Sequence, residues 1–203
     1  MLMLEPHGRQ MPHASHVDTQ GIRAAFSCDR ALRLKLEIPF IHQNKRDETV
    51  AIVMKNPSSA DQYNADTTIR RVEEYVYRSF RSAARLTVVN LFAYRATDPG
   101  DVEETRWLSG LDSIVGEGNN AAITAAVQTS DHVILGWGAP SGIDQSEYER
   151  RIRQVAEILQ PNRPRLWHVG KLTFNSHPRH PLQWGYASPK KRLPTNWPWW
   201  PRQ

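Results

Sequence analysis

Residue types able to do chemistry gather at four points in this chain. Lys55-Asn56-Pro57-Ser58-Ser59 follows the apolar run Val50–Met54, and Asn90 and Phe92 lie at the end of Leu86–Phe92. Trp137-Gly138 closes the run from His132, and His177-Pro178-Arg179-His180-Pro181-Leu182 holds two histidines three apart, each followed by proline. An asparagine offers a donor and an acceptor. Asn56 can therefore hold an attacking water or cap the following turn, and Asn90 can read the amide or amidine edge of a ring or satisfy loop backbone. Asp61 and Asp66 are the nearest carboxylates, each a candidate general base. Their structural alternatives are a surface turn for Asp61 and a helix cap for Asp66. His177 and His180 suit donors to an oxygen that gathers negative charge, or one contact to a base and one to a phosphate. As a metal pair they lack a third ligand at a fitting spacing, so no metal is expected. Phe92 can stack on a ring or fill a core. Arg95, Thr97, Lys171 and Thr173 are loop residues that can hold phosphates or stand in solvent. Asn119, at a helix start, can bind an anion or cap the helix.

The elements around these residues follow from periodicity. Val50–Met54 is a short apolar run without helical period, which predicts a strand buried on both faces. Leu86–Phe92, His132–Gly138 and Leu166–Val169 predict three more. Between them, helices are expected from Asp66 to about Ala84, from Asp101 to about Leu108, from Gly118 to near Ser130 and from Asp144 to Gln160, with a weakly structured segment before Gly118. Ile69, Val72, Val76 and Phe80 share one helical face, as do Ile152, Val155, Ile158 and Leu159. Strands alternating with helices imply right-handed crossovers and a parallel sheet. Ala24–Ser27 and Leu32–Ile38 predict an antiparallel hairpin at the sheet edge. In the second of these, Leu32, Leu34, Leu36 and Ile38 alternate with Arg33, Lys35 and Glu37, which would face solvent. His42–Glu48 reads as a polar loop. The carboxyl edge of such a sheet is where sites form.

Composition narrows the setting. The 203 residues suit one domain, with 26 Lys and Arg against 21 Asp and Glu giving +5. That balance permits a nucleic-acid partner without establishing it. A single cysteine, Cys28, excludes an internal disulfide and a four-cysteine zinc or iron–sulfur site held by this chain alone. No apolar run approaches about 20 residues, and no signal peptide is visible, so neither membrane span nor export is expected and the cytoplasm is the expected home. Residues 1–20 read as a mobile tail, 21–185 as one α/β domain and 186–203 as a basic, Trp- and Pro-rich tail. Lys190-Lys191-Arg192 with Trp197, Trp199 and Trp200 suits single strands or flipped bases, or a clasp folded back on the domain.

The pattern MKNPSSAD, NLFAYRATDP, GNN, WG and HPRHPL resembles a bacterial and phage domain family of unknown function, over most of Phe26–Leu182. That family more distantly resembles the uracil-DNA glycosylase superfamily. There an Asn-Pro or Asp-Pro strand end, a strand ending in Asn, a strand ending in Trp-Gly and a late His-Pro loop occur in the same order. This chain departs in having Met54-Lys55 where many glycosylases carry a glycine, and one extra residue in the late loop. The resemblance implies a three-layer α/β/α sandwich with a largely parallel central sheet, and a monofunctional DNA glycosylase removing a modified, deaminated or hypermodified base. On this reading Asn56, His177 and Asp66 are catalytic. Asn90, Phe92, Ser58 and His180 bind the base, and Arg95, Thr97, Lys171, Thr173 and Asn119 bind phosphate. No cofactor is implied; the partner is DNA, single- or double-stranded, and a monomer is expected. The alternatives are a non-enzymatic nucleic-acid or nucleotide-binding module, or a hydrolase of small nucleosides or nucleotides.

Overall fold

The computed structural model describes residues 10–41 and 46–201. The apolar run forms β3 (Glu48–Met54), whose last five residues are all buried. It lies at the middle of a mixed seven-stranded sheet of order β1-β2-β4-β3-β5-β6-β7. β4 (Ala83–Asn90) and β5 (His132–Leu135) flank it, both parallel to it, and β6 (Leu166–Val169) is parallel to β5. The four strands expected as parallel neighbours are therefore neighbours, and their carboxyl ends share one edge.

Five α-helices occur among the described residues. Asp66 starts α1 (Thr67–Ser79) by accepting from the Ile69 N–H at 2.8 Å. α1 stops well short of Ala84 because Phe80 leaves helical backbone and the chain turns into β4. α2 (Pro99–Ser109) and α3 (Leu111–Val115) precede α4 (Asn119–Gln128) and α5 (Gln145–Leu159). The segment read as weakly structured thus contains α3. Successive residues of the central strands divide between two apolar clusters, as strand alternation requires. Val50, Ile52, Val88 and Ile134 pack with Ile69, Val72 and Val76 of α1. Val53, Val89 and Leu135 pack with Ile123 and Val127 of α4 and with Ile152, Val155 and Leu159 of α5.

The edges hold three departures from the sequence reading. The hairpin forms, with β1 (Arg23–Phe26) antiparallel to β2 (Arg33–Pro39), but its ladder is irregular. Ala25 pairs with Lys35 and Phe26 with Arg33, so Leu34 is an extra residue. A bulge reverses the alternation on its strand. Lys35 and Glu37 stay on the α4 face beside Ala125 and Ala126, whereas Arg33 turns to the opposite face and is buried.

At the far edge, β7 (Lys190–Arg192) pairs antiparallel with β6. It carries no apolar pattern because its cations cover aromatic faces: Lys190 Nζ sits 3.9 Å from the Phe80 ring centre and the Arg192 guanidinium 3.7 Å from Trp167. Beyond it Trp197, Trp199 and Trp200 are buried, folded back against the α5 face.

At the other terminus, the expected mobility of residues 1–20 does not describe residues 10–20. Met11 and Ala65 exchange two backbone hydrogen bonds of 2.9 Å, and Glu73 accepts from His13 at 2.5 Å and from the Ala14 N–H at 2.9 Å. Residues 1–9, and residues 42–45 of the polar loop, lie outside the described residues. No described helix is long and apolar enough to cross a membrane.

Candidate functional site

A cavity of about 620 Å³ opens at the carboxyl ends of β3 and β5, within the ~300–1,000 Å³ of typical ligand pockets. The β3 end supplies Lys55, Asn56 and Ser58; the start of α1 supplies Asp66, Thr67 and Thr68; the loop after β4 supplies Thr97. Trp137 and Gly138 form the wall after β5, Thr173 and His180 that after β6, and the bulged hairpin contributes Arg33.

Pro57 removes a backbone donor and the chain leaves the sheet at Asn56. The Asn56 amide nitrogen donates to the Ala96 carbonyl at 2.9 Å and the Pro57 carbonyl at 3.2 Å. Its Oδ1 accepts no hydrogen bond from a described residue, so the acceptor end is the one left for a ligand or water. The Ser58 and Thr97 hydroxyls are 3.3 Å apart. Asp66 lines the cavity while one of its oxygens caps α1.

Gly138 brings the two late walls together. Its φ of +77° suits glycine, and its N–H donates to the Pro178 carbonyl at 2.9 Å. That bond seats the histidine loop against the end of β5. His180 Nδ1 accepts from the Leu182 N–H at 3.4 Å. Burial, helped by the Lys55 charge and opposed by Asp66, lowers the His180 pKa to about 4. A neutral imidazole whose Nδ1 accepts carries its proton on Nε2. His180 therefore offers an uncharged N–H donor at neutral pH.

Lys55 donates to the carbonyls of Ala139 and Ser141 and to the Ser141 hydroxyl, the latter at 2.9 Å, tying the loop after β5 to the end of β3. Burial brings its pKa down to about 8. Arg33 donates Nη1 to the Ala60 carbonyl at 2.7 Å, while Nε and Nη2 have no partner among the described residues. Its pKa falls to about 10, chiefly through burial, with Asp66 opposing.

The residues singled out in the sequence divide into two groups. Asn56, Ser58, Asp66, Thr97, Thr173 and His180 line the cavity; Asn90, Phe92, Asn119, His177, Arg95 and Lys171 do not. Asn90 is fully buried at the end of β4, its side-chain amide without a partner among the described residues. Phe92 is core against Tyr148, and Asn119 donates to the Asn90 and Leu91 carbonyls instead of facing an anion. His177 is sealed, its ring stacked 4.9 Å from that of Trp199. Arg95 lies over Phe26 and donates to the Arg30 carbonyl, closing the hairpin turn. Lys171 is exposed, and its carbonyl accepts from Arg179. Asp61 caps its own turn through the Tyr63 and Asn64 N–H groups.

The two cations of the cavity wall were not among the site residues expected from sequence. Lys55 carried a signal, a lysine directly after a wholly apolar strand. Arg33 carried none, because the leucine alternation around it is unbroken in sequence. Among the described residues no three His, Cys, Asp or Glu are grouped to hold a metal ion.

A family model matches residues 36–182, more than half of the chain. This chain belongs to the DUF1643 family. The family is described as being of unknown function, and no curated protein and no solved structure matches the chain. The DUF1643 span contains every cavity residue from Met54 to Leu182, so the cavity is almost wholly a property of the family region. Arg33, Gln183, β1, β7 and the tryptophans of residues 197–200 fall outside it.

Proposed function

We propose that this DUF1643 protein is a DNA glycosylase, hydrolysing the N-glycosidic bond of a modified, deaminated or hypermodified base that enters the cavity. The observation that carries this reading is the meeting, in one cavity at the sheet's carboxyl edge, of an acceptor (Asn56 Oδ1), a carboxylate (Asp66) and a neutral donor (His180 Nε2–H). The helices on both faces of the sheet support a three-layer, uracil-DNA-glycosylase-like arrangement. In the proposed reaction Asn56 orients a water and the unspent oxygen of Asp66 takes its proton as the water oxygen bonds to the sugar C1′. The C1′–N bond breaks with its electron pair leaving on the base. His180 donates to the base oxygen where that charge gathers, a contact that strengthens in the transition state. His180 takes the role first considered for His177, which is sealed. Phe174, fully exposed next to Thr173, offers a face for a stacked base.

The test is incubation with duplex and single-stranded DNA carrying a panel of modified bases, with abasic sites as readout. His180→Ala is expected to slow single-turnover base release by about 10²–10³, and His177→Ala to leave the chemical step unchanged in protein that remains folded. No base released from any substrate would overturn the reading. The non-enzymatic nucleotide-binding module would then replace it, favoured by the fact that Asp66, the one carboxylate lining the cavity among the described residues, also serves as a helix cap.

A further inference from the structure

Two cations form part of the wall of this cavity, and neither has a carboxylate partner. Arg33 is 1% exposed and Lys55 7% exposed. Neither makes an ion pair among the described residues; their acceptors are carbonyls and one hydroxyl. Removing an unpaired ion from water costs several kcal/mol even after relaxation. A fold that buries two of them beside one opening, with two guanidinium nitrogens unspent, is incomplete without an anion. Among the described residues the one negative group lining the wall is Asp66, so two positive charges line it against one negative, with Asp61 adding attraction for Arg33 from outside the lining. Thr67 and Thr68, first residues of the 13-residue α1, also line the cavity. Their N–H groups have no intrahelical acceptor, and a helix N-terminus favours an anion.

We infer that the cavity contains a subsite for a phosphate oxyanion, held by Arg33 and Lys55 with the first turn of α1. The inference rests on the nucleotide reading above and adds the group by which the nucleotide is anchored. Arg33 supplies the paired, planar donors that match two phosphate oxygens, and Lys55 supplies a point charge. The same chemistry comes from the 5′-phosphate of a free nucleotide or from a diester of a DNA strand. In either case the phosphate has to enter the cavity to meet Arg33, because the side chain is not presented at the outer surface.

The experiment is titration calorimetry on the full chain with inorganic phosphate, a deoxynucleoside 5′-monophosphate, its nucleoside and a short single-stranded oligonucleotide. The monophosphate or the oligonucleotide is expected to bind at least about tenfold more tightly than the nucleoside, the scale of one charge-assisted hydrogen bond. Arg33→Gln should abolish that ratio. Asp66→Asn, which keeps the helix cap and removes the opposing charge, should widen it. This second variant decides the matter if Arg33→Gln fails to fold. Preference for the monophosphate assigns the subsite to a terminal phosphate, and preference for the oligonucleotide assigns it to a diester. Equal affinity for nucleoside, monophosphate and oligonucleotide in the wild type, or a ratio unmoved by either variant, overturns the subsite. Phosphate-dependent binding without base release from any DNA leaves the subsite standing and ends the glycosylase reading. Base release with no phosphate dependence does the reverse.

Discussion

Gly138 is the hinge on which the cavity's histidine depends, and Gly138→Ala separates its backbone role from its contact role. At φ +77° an alanine sits in left-handed backbone, which costs about 1–2 kcal/mol. Its Cβ would also stand 3.0 Å from the His180 Cβ and 3.6 Å from the His180 nitrogen. Those atoms belong to the rigid part of the loop, so the loop has to move by a few tenths of an ångström. Together the two effects amount to about 2 kcal/mol, or roughly 4–8 °C of melting temperature for a chain of this size. The displacement falls on the donor itself, and a misplacement of about 1 Å can cost 10² in rate, so base release should fall by about tenfold or more. Gly170→Ala is the matched control, with φ +70° and no atom within 4 Å of the added Cβ. It should lose stability through strain alone and leave the cavity untouched. Melting by calorimetry, alongside single-turnover base release, reads both. If the two variants lose equal stability and release base at equal rates, the contact with His180 does not hold the site and the reasoning fails.

Three further outcomes are expected. Burial holds His180 at about 4 and places His168 and His177 below the ordinary 6.5, so below pH 6.5 the unfolded chain takes up protons that the folded chain refuses. Stability therefore falls as pH drops from 6.5 towards 4, His180 contributing at most about 3 kcal/mol, and His180→Gln should flatten the melting-temperature slope over that range. Trp199→Ala removes the ring that covers His177; a loss of about 3–5 kcal/mol is expected, and His177, protected in the wild type, should become open to diethyl pyrocarbonate, as mapped by mass spectrometry. Lys55, with its pKa near 8, loses its charge as pH rises through that value, so phosphate affinity should weaken between pH 7 and 9, and an affinity constant across that range would remove Lys55 from the subsite.

The sheet was legible because its central strands are apolar throughout. A run such as Val50–Met54 has few alternatives, and the helices between such runs carry clear faces and a good cap at Asp66. The edges were less legible because their stability comes from tertiary contacts. Lys190–Arg192 reads as a solvated charge run until the Phe80 and Trp167 rings are in place beneath it. Strand ends were found, yet which of their polar residues enter the cavity was not. Asn90 and Asn56 are equivalent in sequence, each closing an apolar strand, but Asn90 is still inside the sheet, paired with Met54, whereas Asn56 is two residues past the ladder. His177 and His180 differ only in which one lies under Trp199, a contact made from 22 positions away.

The bulge at Leu34 makes the cavity's polarity a matter of counting. If the hairpin slipped by one residue into a regular ladder, Leu34 would take the place opposite Phe26, and Arg33 would move to the Lys35 face. The wall would exchange a cation for an isobutyl group with no codon altered there. Deleting Leu34 outright would do the opposite, straightening the ladder while leaving Arg33 where it stands. A relative could thus keep this arginine in its sequence and still lose the charge from the cavity wall through a shift of register, and a comparison that scored only substitutions would not register the change.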